Sequence, residues 1–223
     1  MKYLACTIFF LIFCLTLTSC EHTKDKEKIE NVWDTYLISL AERDGETAFD
    51  LLDRETIKYF ELIGHYARFE DSANLQSRPI IEKIMILALR AYVPRDSLQR
   101  ISGKDVIRFS VDHDLSGEVH SAKISNIIVD GDFAKALYSV EGAPSSFVIY
   151  FSKEKGKWKV CLFALMLRIM QPYEDYFQQQ LQEQGLSEND FLENSIQAIG
   201  DDTLNNPLWQ PLFRVSESIQ SIE

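Results

Sequence analysis

The chain has 223 residues, a formal net charge of −11 at pH 7, and 46% hydrophobic against 26% charged residues. That length supports one sizeable core, while so acidic a balance excludes a nucleic-acid binder, which needs clustered Lys and Arg. Anionic headgroups repel such a chain as a whole, so no basic patch is expected to hold it at a membrane.

In chain order, Met1 and Lys2 precede an apolar run from Tyr3 to Leu17, interrupted by Thr7 and Thr16. A bilayer span needs roughly 20 apolar residues, so the run fits a cleaved leader better than an anchor helix. Its ending, Leu17-Thr18-Ser19-Cys20, resembles the lipobox of bacterial lipoproteins. That resemblance implies cleavage before Cys20, palmitate-type acylation of Cys20, and a cell-envelope address. It favours the outer over the inner membrane, because Glu21 is not the aspartate that some bacteria use for inner-membrane retention. Two acyl chains hold a protein stably at a membrane where one does so marginally. Without residues 1–19, which carry Lys2 and no acid, 204 of the 223 residues remain and the charge moves from −11 to −12. Cys6 and Cys14 leave with the leader and Cys20 carries lipid, so Cys161 has no disulfide partner within the chain. In the apolar setting "KVCLFALM" it reads as a small buried hydrophobe.

Residues 20–28 read as the lipidated cysteine and a short charged linker. From Ile29, a stripe of Val32, Trp33, Tyr36, Leu37 and Leu40 predicts a helix ended near Gly45. A second helical region carries Phe49, Leu51, Leu52, Ile57, Phe60 and Ile63. Pro79 opens "IIEKIMILALRAYV", apolar nearly all round and so a buried helix, which Pro94 ends. "SGKD" at Ser102 has the form of a capping box and predicts a helix through "VIRFSVDHDL", although alternation of Ile107, Phe109 and Val111 leaves a strand open. After Gly117 the period changes. "AKISNIIV", "FAKALYSV", "SFVIYFSK" and "KWKVCLFALM" read as strands separated by turn signals such as "DGD". Both faces of the last strands are apolar, so the sheet is expected to be covered on both sides. Beyond residue 166, Met170, Tyr173, Phe177 and Leu181 predict a helix opened by Pro172, and "SEND" at Ser187 opens another. This 167–223 extension is expected to lie on the second sheet face and keep the protein a monomer or weak homodimer.

The fold expectation is α+β, with N-terminal helices packed on a curved antiparallel four-stranded meander and an added helical C-terminal extension. Over residues 29–166 the helix order, the "VDGDFAKALYSV" hairpin and the closing "KEKGKWKVCLF" resemble the nuclear-transport-factor-2-like superfamily of cone-shaped folds. A cystatin-like sheet wrapped on a helix gives a similar pattern. The superfamily resemblance implies an apolar cavity that some members use for isomerase chemistry with an aspartate and a tyrosine.

Trp33, Tyr36, Tyr59, Tyr138, Tyr150 and Trp158 are the candidate pocket residues. No lone acid interrupts an apolar strand face, and no position matches the superfamily's catalytic residues. There is no phosphate loop, nucleophile elbow or metal spacing, so no metal or cofactor is expected. "VDHDLSG" brings Asp112, His113 and Asp114 together in sequence, but consecutive side chains diverge on helix or strand, and a solvated helix end explains them. The resulting expectation is a membrane-anchored, non-enzymatic binding or accessory module for an envelope protein or a small apolar ligand. A small hydrolase or isomerase in the cone cavity and an immunity or inhibitor protein are the alternatives.

Overall fold

The computed structural model describes residues 23–115, 122–140, 143–199 and 208–213. The leader, Cys20 and the turn at Gly117 lie outside them.

The first helix, α1 (23–41), buries Ile29, Trp33, Tyr36, Leu37 and Leu40, the stripe expected from its spacing. It begins inside the segment read as a linker, so only residues 21 and 22 separate Cys20 from Thr23. The chain turns at Arg43, which takes φ 56°, and not at Gly45. Gly45 instead starts α2 (Gly45–Leu51), where an added Cβ would stand 2.6 Å from the Arg108 Cα. Glycine is there for close approach to another helix. The second helical region divides at Leu52: Asp53 caps α3 (Arg54–Phe69) by accepting from Thr56 N, the acceptor a helix start requires. Short helices α4 (Ser72–Gln76) and α6 (Arg95–Gln99) flank the buried α5 (Ile80–Tyr92). The "SGKD" segment does form a capping box, with both bonds between Ser102 and Asp105, and α7 (Gly103–Asp112) is a helix, not a strand.

Four antiparallel strands follow in the order β1-β2-β3-β4: β1 (Ala122–Asp130), β2 (Phe133–Val140), β3 (Ala143–Glu154) and β4 (Lys157–Val160). The fold is therefore α+β, with helices before the sheet and a helical C-terminal part after it. A bulge with Asn126 at φ 51° resets the alternation of β1, which puts Ile124 and Ile127 on the same face. On that face Ala134, Ala136, Ile149, Phe151 and Val160 are buried beneath the helices, with Val160 bridged to Leu52. Trp33 meets Phe151 edge-on at 6.4 Å and donates from Nε1 to the Ala122 carbonyl at 3.3 Å.

β4 is shorter than its apolar run predicts. The chain turns at Cys161 into α8 (Leu162–Gln184), which passes through Pro172 in its interior. A short run apolar on both faces fits a buried strand and a helix equally; residues 162–166, expected as strand, are helix, and their sequence has no period to decide between the two. α8 packs along β3, with the Arg168 guanidinium 4.9 Å from the Tyr150 ring. Its successor α9 (Glu188–Ile199), opened by Ser187 as the sequence predicts, packs on α5. Residues 208–213 lie against the helices, where Phe213 N donates to the Arg68 carbonyl. α9 and residues 208–213 therefore reinforce the helical layer, while α8 runs along β3 and its Arg168 reaches Tyr150 on the outer face; among the described residues, Ile128, Phe133 and Leu137 on the outer face of β1 and β2 remain exposed. No helix among the described residues is long and apolar enough to cross a membrane.

Candidate functional site

The six aromatic residues do not line one pocket. Trp33, Tyr36 and Tyr138 form a group, with Trp33 ring centroids 5.9 Å from Tyr36 and 6.1 Å from Tyr138. Trp33 is 1% exposed, so its faces are spent on its neighbours. Burial pushes the Tyr36 phenol well up, and burial with Tyr173 of α8 beside it raises that of Tyr138. Both phenols thus stay neutral. Tyr59 stands apart, stacked on Phe163 at 4.8 Å and donating to Glu82 at 3.1 Å. Tyr150 lies on the opposite sheet face under Arg168, in register with Lys135. Trp158 is buried near the β3–β4 turn with Lys153 5.3 Å from its ring.

The interior acids are engaged. Glu82 accepts from Tyr59 and, at 3.0 Å, from Arg78, whose guanidinium also forks onto Glu70 and lies 3.3 Å from the Tyr66 ring centroid. Burial opposes the Arg78 charge, but Glu70 and Glu82 outweigh it and hold the guanidinium firmly protonated. Asp53 caps α3, and the Thr56 hydroxyl that bonds Asp53 also accepts from Phe163 N at 3.0 Å. Asp25 accepts from Lys153 at 3.0 Å and from Lys28 at 3.4 Å. Burial works against the charged Asp25, yet the Trp158 indole, Lys153 and Lys28 outweigh it and keep the carboxyl below its ordinary range. Trp158 Nε1 closes no hydrogen bond of normal geometry among the described residues, so its contribution is that of a nearby dipole.

Two buried cations escaped the sequence reading. Arg90 is 0% exposed and donates to backbone carbonyls of Tyr66, Ala67, Glu70 and Leu208. Burial pulls its pKa down to about 10 despite Glu70 nearby, so it remains a cation at neutral pH. Lys83, also buried, pairs with Glu188 and joins α5 to α9. The signal was available: a cation in an otherwise apolar helix is rarely buried without partners.

Neither remaining cluster supports chemistry. Burial, aided by Asp53, pushes the Cys161 thiol up to about 12, the opposite of what a nucleophilic thiolate requires. Asp112, His113 and Asp114 are exposed at the end of α7, where His113 stacks on Phe109 at 4.2 Å and Nδ1 lies 2.9 Å from the Phe109 carbonyl. Among the described residues no group of His, Cys, Asp and Glu could hold a metal ion.

The chain matches no family model, and neither a curated protein nor a solved structure matches it.

Proposed function

We propose that this chain is a lipid-anchored accessory protein of a bacterial cell envelope, tethered through Cys20, that binds a protein partner and does not turn over a substrate. The outer membrane is its proposed site. One observation carries the non-enzymatic reading: the aromatic and acidic side chains that a cavity enzyme would aim at a substrate are consumed by the fold. Trp33 packs on Tyr36, Tyr138 and Phe151, and Asp25, Asp53 and Glu82 are hydrogen-bonded within the fold. A small apolar ligand at Trp33 would have to displace that packing, whereas a protein partner needs only surface.

α8 supplies such a surface. Tyr173 and Tyr176 are exposed on one side of it, and exposed Tyr is enriched where partners bind. A photo-crosslinking residue at Tyr176, with exposed Glu61 as control, tests the reading in intact cells. A discrete adduct from position 176 alone is expected; equal labelling from both positions, or none from either, overturns it. The anchor is tested by mass spectrometry of the Cys20 peptide, with Cys20→Ser expected to move the protein from the membrane to the soluble fraction.

A further inference from the structure

The β1–β2 and β3–β4 turns lie at one end of the sheet, where Lys153 N donates to the Asp132 carbonyl at 2.7 Å. α1 starts at the same end, because Asp25 in its first turn bonds Lys153. Cys20 stands three residues before Thr23, a reach of at most about 10 Å. A lipid on Cys20 would therefore hold this particular end of the sheet against the bilayer.

What this end displays differs from the molecule as a whole. Phe133 is 69% and Ile128 57% exposed, both on the outer face. Lys135 lies opposite Ile128 in register, Lys155 and Lys157 lie at the β3–β4 turn at the same end, and all three are exposed, as are Lys24 and Lys26 at the start of α1. None of these five is paired with an acid among the described residues. The acids nearby are fewer: Glu27, Asp130 and Asp132 are exposed and Glu154 accepts only a backbone N–H, from Arg54, four against the five lysines, while Asp25 is held by Lys153. Charge is screened over about 8 Å at physiological ionic strength, so a bilayer against this end meets these lysines and not the net charge of −11. The repulsion expected from composition alone does not hold locally.

We propose that this hairpin end is a second membrane contact, in which Lys135, Lys155 and Lys157 bind anionic lipid headgroups while Phe133 and Ile128 enter the headgroup–acyl boundary. Aromatic and aliphatic side chains beside lysines suit that boundary, since the lysine stems lie along apolar surface and keep their charge in water. The contact rests on the proposed anchor, which brings this end to the surface and leaves α8 free to meet a partner.

The test uses the leaderless chain carrying Cys20→Ser, which has no lipid, in flotation with vesicles of phosphatidylcholine alone or with about one-third phosphatidylglycerol. Binding to the anionic vesicles is expected to exceed that to neutral ones at least fivefold, and to fall away in 0.5 M salt. Lys155→Glu with Lys157→Glu should weaken anionic binding by about fivefold per lysine, and Phe133→Ser should weaken what survives salt. No preference for anionic vesicles, or variants that bind as the parent does, overturns the proposal. The salt series on the parent chain decides the matter even if a variant misfolds. Because the Cys20 peptide is read separately, a lipidated Cys20 with no vesicle preference sinks this contact while leaving the anchor intact.

Discussion

Arg90 ties the C-terminal segment to the helical layer through backbone carbonyls. Its guanidinium bonds carbonyls of α3 and the Leu208 carbonyl, and charge-assisted bonds of this kind contribute about 1.5–3 kcal/mol each. Arg90→Met should therefore cost at least about 3 kcal/mol in urea unfolding and free Trp209, whose fluorescence reports the loss. Asp25 sets a pH limit. Its folded pKa is below the ordinary 3.8, so its contribution is complete above that value and is lost as pH falls through the lower folded pKa. The unfolding midpoint of the parent should thus drop more steeply below pH 4 than that of Asp25→Asn; parallel curves would exclude the effect. Cys161, its thiol pushed up to about 12, should alkylate at pH 8 at least about tenfold more slowly in the folded protein than in urea. Single residues of this kind were partly legible. An acid or cation in an apolar helix announces a partner, but Arg90 finds one of its acceptors, the Leu208 carbonyl, on backbone more than a hundred residues away, and no local pattern encodes that distance.

Among the elements, those with a clear period or a start signal were legible: α1 from its stripe, α5 from Pro79, α7 from Ser102 and Asp105, α9 from Ser187. The start of α8 was not, because "CLFAL" is apolar in every direction and lacks a side-chain cap. α7 also depends on close approach. A Cβ at Gly103 would stand 2.6 Å from the Ile57 carbonyl oxygen, so Gly103→Ala should separate α7 from α3 and cost about 1–3 kcal/mol. Ser102→Ala should cost about 1 kcal/mol by removing the cap alone, and thermal unfolding separates the two magnitudes. In α8 the reverse is expected. Pro172 is exposed and cannot donate to the Arg168 carbonyl, so Pro172→Ala should raise stability by about 1–3 kcal/mol.

For the whole molecule, the sheet order and the helical layer followed from turn signals and periodicity, whereas the docking of the extension did not. Apolar stripes on α8 and α9 declare that something must be covered, but which face they cover depends on shape complementarity that emerges only when the layers assemble. The structure puts α9 on α5, with Tyr92 donating to the Ile196 carbonyl at 2.6 Å. Truncation after Gly185 should therefore uncover α5 and yield a protein that aggregates or loses its cooperative unfolding, as read by light scattering and a denaturant titration.

The nearness of α1 to the proposed anchor has a mechanical consequence. With Asp25 clasped by Lys153, a pull along the tether does not first straighten a slack leash; it loads the sheet at the tips of two hairpins together. Such a mooring transmits torque, so the body would rock with the bilayer beneath it and not pivot freely on a string.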